Sequence, residues 1–272
     1  MRRRWVAPQQ VDPGRRFGGI ARLYGRSGLE RLTRSRVCVV GVGGVGSWAA
    51  EALARSAVGG IDLIDLDHVA ESNVNRQLHA LEETLGRAKV QVLAERIRAI
   101  NPGCRVEAVE EFVDPDNLER LITGDHDYVV DCIDAWRTKA ALIAHCRRRR
   151  TPVITVGAAG GQLDPLRIRM ADLSRTLHDP LLAKTRKQLR REYGFSRNPK
   201  RRFEVPAVYS MEQSRYPTVQ GGVCRDRPGR SLQGLSCAGF GAVMTVTATF
   251  GLVAVSHVLK RLARVDLEEK EE

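Results

Sequence analysis

Hydrophobic positions fall in short runs separated by amphipathic stretches. Residues 37–40 are apolar and β-branched, too few for a helix, and read as a buried parallel strand. Residues 60–67, 105–112, 128–134 and 152–156 repeat that pattern and read as four further strands. Residues 20–34, 47–55, 82–100, 117–122 and 138–149 read as the intervening helices, the third of them stopped by Asn101-Pro102-Gly103. Strands alternating with helices at this spacing predict an α/β fold, a Rossmann-like, doubly wound, mostly parallel sheet with a C-terminal extension.

Past residue 161 the alternation fades. Residues 184–202 hold nine Lys or Arg against one Glu, with Tyr193 and Phe195 interleaved, and read as a basic insertion suited to RNA. Residues 238–259 carry no charge and are long enough to span a bilayer, but three Gly, three Thr, a Ser and a His favour a helix buried against the sheet over membrane contact. Residues 1–15 lack periodicity and read as a poorly ordered basic arm, and 265–272 as a charged tail. The expected organisation is one domain over 16–264 with a nucleotide-binding core at 35–160.

Composition sharpens this modestly. A 272-residue chain with 43% hydrophobic and 28% charged residues is ordinary for a globular protein, while its formal net charge of +12 favours polyanionic partners. Six cysteines, Cys38, Cys104, Cys132, Cys146, Cys224 and Cys237, form no C-x-x-C pair, so neither a zinc ribbon nor a disulfide framework is indicated. The N-terminal stretch is Arg-rich without an apolar segment, so a cytoplasmic location is expected.

The chemistry gathers where strands end. Gly41, Gly43, Gly44 and Gly46 form a G-x-G-G-x-G run between a strand and a helix, where the backbone can approach a phosphate and the helix N-terminus favours an anion. Asp65 lies 24 residues after Gly41, near the spacing of an acid that binds a ribose, and Asp67 follows it. That spacing alone would suit NAD. Gly44, however, fills a position the dinucleotide fingerprint leaves free, and Arg76 and Lys89 bring two cations near the loop. Two cations suit a triphosphate, ATP, better than a pyrophosphate diester, and Asp134 could hold its Mg²⁺.

From Gly41 to Asp134 the chain resembles the ubiquitin-activating-enzyme-like adenylating family, ThiF and its relatives. The resemblance rests on the glycine loop, Asp65, the N-x-x-R-Q loop (Asn73, Arg76, Gln77), Lys89 and the D-x-x-D strand end closing on Asp134. It implies that these residues bind ATP·Mg and that a carboxylate attacks the α-phosphate, with Arg76, Lys89 and Asp134 carrying the catalysis. Residues 16–25, 46–55, 160–165 and 250–257 narrow the resemblance to the branch acting on threonylcarbamoyladenosine in tRNA. That branch implies ATP-dependent cyclisation with net loss of water, a homodimer, and an arginine crossing between subunits, for which Arg22 is the nearest candidate. A cysteine-desulfurase partner system is also implied, with Cys224 and Cys237 as candidate thiols. The alternatives are an adenylyltransferase for a ubiquitin-like sulfur carrier, against which the missing C-x-x-C pairs weigh, and a non-catalytic nucleotide-binding module or membrane-attached scaffold.

Overall fold

The structure, a computed structural model, describes residues 12–218, 220–225 and 240–264. In chain order the elements are α1 (Pro13–Arg34), β1 (Arg36–Val40), α2 (Gly46–Arg55), β2 (Gly60–Ile64), α3 (Lys89–Ile100), β3 (Arg105–Val109), α4 (Leu118–Leu121), β4 (Tyr128–Asp131), α5 (Trp136–Arg149) and β5 (Val153–Val156). They continue with β6 (Ile168–Asp172), α6 (Pro180–Glu192), β7 (Pro206–Ser210), the short strands β8 (Tyr216–Pro217) and β9 (Val223–Cys224), and α7 (Met244–Ala263).

Seven strands form one sheet in the order β3-β2-β1-β4-β5-β7-β6. All neighbours pair parallel except β6, which runs antiparallel to β7 at the edge. Side chains of β1 alternate between the faces. Val37 and Val39 join one apolar cluster with Ala49 and Leu53 of α2, Leu93 of α3 and Phe250 of α7. Cys38 and Val40 join the other with Leu142 of α5 and Leu182 and Leu189 of α6. With both faces covered, the central strands are buried along their length rather than on alternate residues. The order reverses direction between β1 and β4, so the crevice at their carboxyl ends is where such a sheet binds ligands.

Five expectations need correction or refinement. The helix expected over 82–100 begins only at Lys89; Glu82–Thr84 is a single tight turn. Gly86, at φ +79°, leaves the right-handed region, and its N–H donates to Val69 O (2.8 Å), so the chain is drawn away from a helix there. The arm expected through residue 15 ends sooner, because Asp12 caps α1 by accepting the N–H groups of Gly14 and Arg15; residues 1–11 lie outside those described. The stretch past 161 is regular after all, supplying β6, α6 and β7 to the sheet. The first half of the basic run, through Glu192, lies in α6, capped by Asp179, whose Oδ1 accepts the Leu182 N–H. The uncharged run supplies most of α7, which starts only at Met244 and extends past the run to Ala263; by length and composition this helix could cross a membrane, but 56% of its most apolar stretch is buried inside the protein. It crosses α2 closely: a Cβ at Gly251 would stand 2.6 Å from Val45 O.

Candidate nucleotide site

The chain leaves β1 through Gly41, at φ +82°, and enters α2 at Gly46, where a Cβ would lie 1.8 Å from Gly41 O. No other residue fits that turn. Asp65, one residue beyond β2, pins the loop: its Oδ2 accepts the Val42 N–H (2.8 Å) and its Oδ1 the Asp67 N–H (2.9 Å). Burial pushes the Asp65 carboxyl above its usual range, against these two hydrogen bonds.

Residues 71–77 wrap over the glycines. Asn73 is buried, its Oδ1 accepting the Ala70 N–H (3.1 Å), which closes the turn that presents Arg76 and Gln77. The Ser47 hydroxyl accepts the Leu78 N–H (3.3 Å) and Trp48 Nε1 donates to Arg76 O (3.0 Å), fastening this segment to the start of α2. Arg76 Cγ lies 3.2 Å from where a Gly44 Cβ would be, and Gln77 Nε2 lies 3.7 Å from the same point at Gly43. The Arg76 guanidinium donates to Ser72 O (2.8 Å) and Asn75 Oδ1 (2.9 Å), through one of its nitrogens. Gln77 Oε1 is buried without a hydrogen-bond partner.

Lys89 opens α3, and its Nζ donates to Asp67 Oδ2 at 2.7 Å. The lysine is 4% exposed while the Asp67 side chain is 55% exposed, so the ammonium is enclosed beside a carboxylate that water can reach. Asp134 stands exposed three residues past the end of β4. Gly41, Gly43, Gly44, Gly46, Asp65, Asp67, Asn73, Arg76, Gln77, Lys89 and Asp134 thus all lie at the carboxyl edge of β1, β2 and β4. Arg22 is exposed on α1, and Cys224 is half-buried in β9. Cys237 lies outside the described residues.

Sequence reasoning missed three features of this edge. Lys139, Asp131 and Thr155 are all fully buried, with Lys139 Nζ 2.8 Å from Asp131 Oδ2 and the Thr155 hydroxyl donating to the same oxygen at 2.6 Å. His79 is 1% exposed, both ring nitrogens lack partners, and burial with the nearby Lys89 charge lowers its pKa to about 4. Glu212 reaches from the end of β7 to the loop after β5, accepting the N–H groups of Leu163 and Asp164 (2.9 Å each). None of the three has a local spacing that would reveal it.

The doubly wound sheet and its glycine loop at the β1/β4 switch define a nucleotide-binding α/β protein. The ThiF family model matches residues 18–272, and the chain belongs to the ThiF family. It is 51% identical over 249 residues to the tRNA threonylcarbamoyladenosine dehydratase of Escherichia coli K12, covering 91% of this chain and 93% of that protein. The enzyme of the same name from Haemophilus influenzae is 48% identical over 250 residues, 92% of this chain and 94% of its own. Among solved structures, the E. coli tRNA N6-threonylcarbamoyladenosine dehydratase, TcdA, in complex with ATP superposes with a TM-score of 0.83 at 49% identity, covering 92% of this chain and 95% of that one.

Proposed function

We propose that this protein catalyses the ATP-dependent dehydration of threonylcarbamoyladenosine in tRNA to its cyclic form. The observation that carries the reading is likeness to dehydratases over nine-tenths of both chains, with Arg76 against the glycine loop and Lys89 on Asp67 at the same edge of the sheet. The threonyl carboxylate attacks the α-phosphate of ATP and pyrophosphate leaves. A nucleophilic atom of the carbamoyl group then attacks the activated carbonyl, releasing AMP with the former carboxylate oxygen and giving up a proton. Water is therefore lost in sum, its oxygen passing to AMP.

The residues divide this work. The loop N–H groups and the N-terminus of α2 receive phosphate oxygens. Arg76 and Lys89 offset the charge that builds on the phosphates during transfer. Asp65 and Asp67 lie on the ribose side, and Asn73 and Gln77 hold the loop bearing Arg76. Among the described residues no cluster of three or more His, Cys, Asp or Glu could form a metal cage. Mg²⁺ suits Asp134 nonetheless, because it takes one or two carboxylates plus substrate phosphates; bound there it would neutralise phosphate charge.

The tRNA backbone follows α6. Arg186, Lys187, Arg190, Arg191 and Arg197 line one open groove. Burial and the neighbouring Arg190 charge hold the Arg186 pKa below the usual arginine value, so an anion is welcome there. In this reading the enzyme is a cytoplasmic homodimer, Arg22 reaches the neighbouring subunit's site, and Cys224 and Cys237 communicate with a cysteine-desulfurase system. The test is mass spectrometry of nucleosides from threonylcarbamoyladenosine-containing tRNA after incubation with protein and Mg·ATP. An ATP-dependent loss of one water from the modified nucleoside is expected. An unchanged mass, with pyrophosphate exchange appearing only when a small carrier protein is added, would replace this function with carrier activation.

A further inference from the structure

The sheet order places β5 beside β4 and β7 beyond β5, all three parallel, so the segments leaving β5 and β7, 157–164 and 211–216, share the edge on which Asp134 stands. These two segments are bound together. Glu212 is 7% exposed, and its Oε2 accepts both the Leu163 and Asp164 N–H groups. Arg215 N–H donates to Gly161 O (2.8 Å), and Gly161 N–H donates to Gly241 O (2.7 Å), bringing in the approach to α7. Tyr216 packs on Phe240 with ring centroids 5.3 Å apart.

Within this weave two polar atoms are left over. Gln162 is 5% exposed; its Nε2 donates to Ala158 O (3.0 Å), but its Oε1 is buried without a partner. Arg215 Nε is likewise buried and unpartnered, because the facing Glu212 Oε1 lies 3.8 Å away, close enough to attract and too far for a hydrogen bond. The Arg215 side chain remains 38% exposed. An unsatisfied buried acceptor is costly to keep, and a fold retains one where a ligand supplies the donor. Here one unused acceptor and one guanidinium with unused donors lie on adjoining segments, a step along the sheet from the nucleotide site.

We propose that Gln162 and Arg215, with Glu212 holding the arginine, form the seat for a ureido amino acid: an N–H for Gln162 Oε1 and a carboxylate for Arg215. The threonylcarbamoyl arm carries both groups, so the proposal rests on the dehydratase reading and assigns its acceptor subsite. The α6 groove, by contrast, meets only phosphates.

The experiment compares wild type with Arg215→Gln, Arg215→Lys and Gln162→Leu. Dehydration of modified tRNA is followed by mass spectrometry, with KM for tRNA and for ATP measured separately alongside thermal melting. Loss of one such pairing should reduce kcat/KM for tRNA by about 10–100-fold. The KM for ATP should stay within about twofold, and Arg215→Lys should recover part of the loss because it keeps the charge. Unchanged kcat/KM, or an equal rise in both KM values, overturns the seat. A wild type that binds ATP but never dehydrates tRNA would sink the dehydratase reading instead. In that event binding of N-carbamoyl-threonine, detected by ligand NMR, still decides the seat: binding lost in Arg215→Gln supports it, and binding absent from wild type or equal in both overturns it.

Discussion

Two lysine–aspartate pairs sit on the same edge of the sheet with nearly the same separation, 2.7 Å for Lys89–Asp67 and 2.8 Å for Lys139–Asp131. Their surroundings differ. Both side chains of the second pair are 0% exposed, and Thr155 takes a further place on Asp131; in the first, Asp67 is 55% exposed. A wholly buried ion cannot leave its partner without a large desolvation cost, so Lys139 holds the end of β4 to α5 and β5. In the proposed reaction Lys89 exchanges Asp67 for a phosphate, and water compensates the released carboxylate. Burial, more than distance, separates a lysine that fixes the framework from one available to a ligand.

The largest effect should therefore come from Lys139→Met. It leaves the Asp131 charge buried with only the Thr155 hydroxyl and the Ile133 N–H beside it, and urea unfolding should show a loss of about 3–5 kcal/mol. Removing both charges, as in Lys139→Met with Asp131→Leu, should cost less than the single change. A loss under about 1 kcal/mol in the single variant would mean that the two pairs do not differ in kind.

His79 probes the other pair's neighbourhood. Its pKa falls from 6.5 to about 4 because burial and the Lys89 charge both oppose the imidazolium. Between those values the unfolded chain binds a proton that the folded protein refuses. Stability should thus be insensitive to this group above pH 6.5 and fall as pH drops from 6.5 toward 4, by about 3 kcal/mol in all. His79→Leu should flatten that portion of the pH profile in equilibrium unfolding. An identical profile in the variant would show that the enclosure around Lys89 is wetter than described.

The same contrast explains what could be read from sequence. The strands and the glycine loop were legible because their requirements are local, β-branched runs and a backbone turn at Gly41–Gly46 that admits no Cβ; Arg76, Lys89 and Asp134 were singled out by a motif, and the structure sets them along the same edge of the sheet. The helix boundary at Lys89 was hidden because Gly86 interrupts a stretch whose other residues suit a helix. β6 was obscured because an edge strand with exposed Arg169 and Met170 lacks the apolar pattern of the centre. Lys139 sits in a run of good helix formers and reads as a solvated position; only the approach of β5, with Thr155, reveals its burial. Glu212, Arg215 and Gln162 meet across about fifty residues of chain, a distance no local motif spans.

The smallest effect on stability belongs to Lys89→Ala, and it is the sharpest test of the comparison because activity and stability should part. Alanine is a good first residue for α3, the Lys89 N–H to Asp67 O hydrogen bond (3.0 Å) survives, and the freed Asp67 carboxylate is already half in water. The loss should be about 1 kcal/mol or less, in the range of partly exposed pairs. ATP turnover should nonetheless fall by at least about 100-fold, since the cation placed on the phosphates is gone. Asp134→Ala, at an exposed position, should show the same separation. Thermal melting and ATP turnover on one preparation measure both quantities together. Turnover retained in a folded Lys89→Ala protein would remove Lys89 from the phosphate site. A loss of stability as large as that of Lys139→Met would instead make Lys89 a second structural pair, and the contrast drawn from burial would fail.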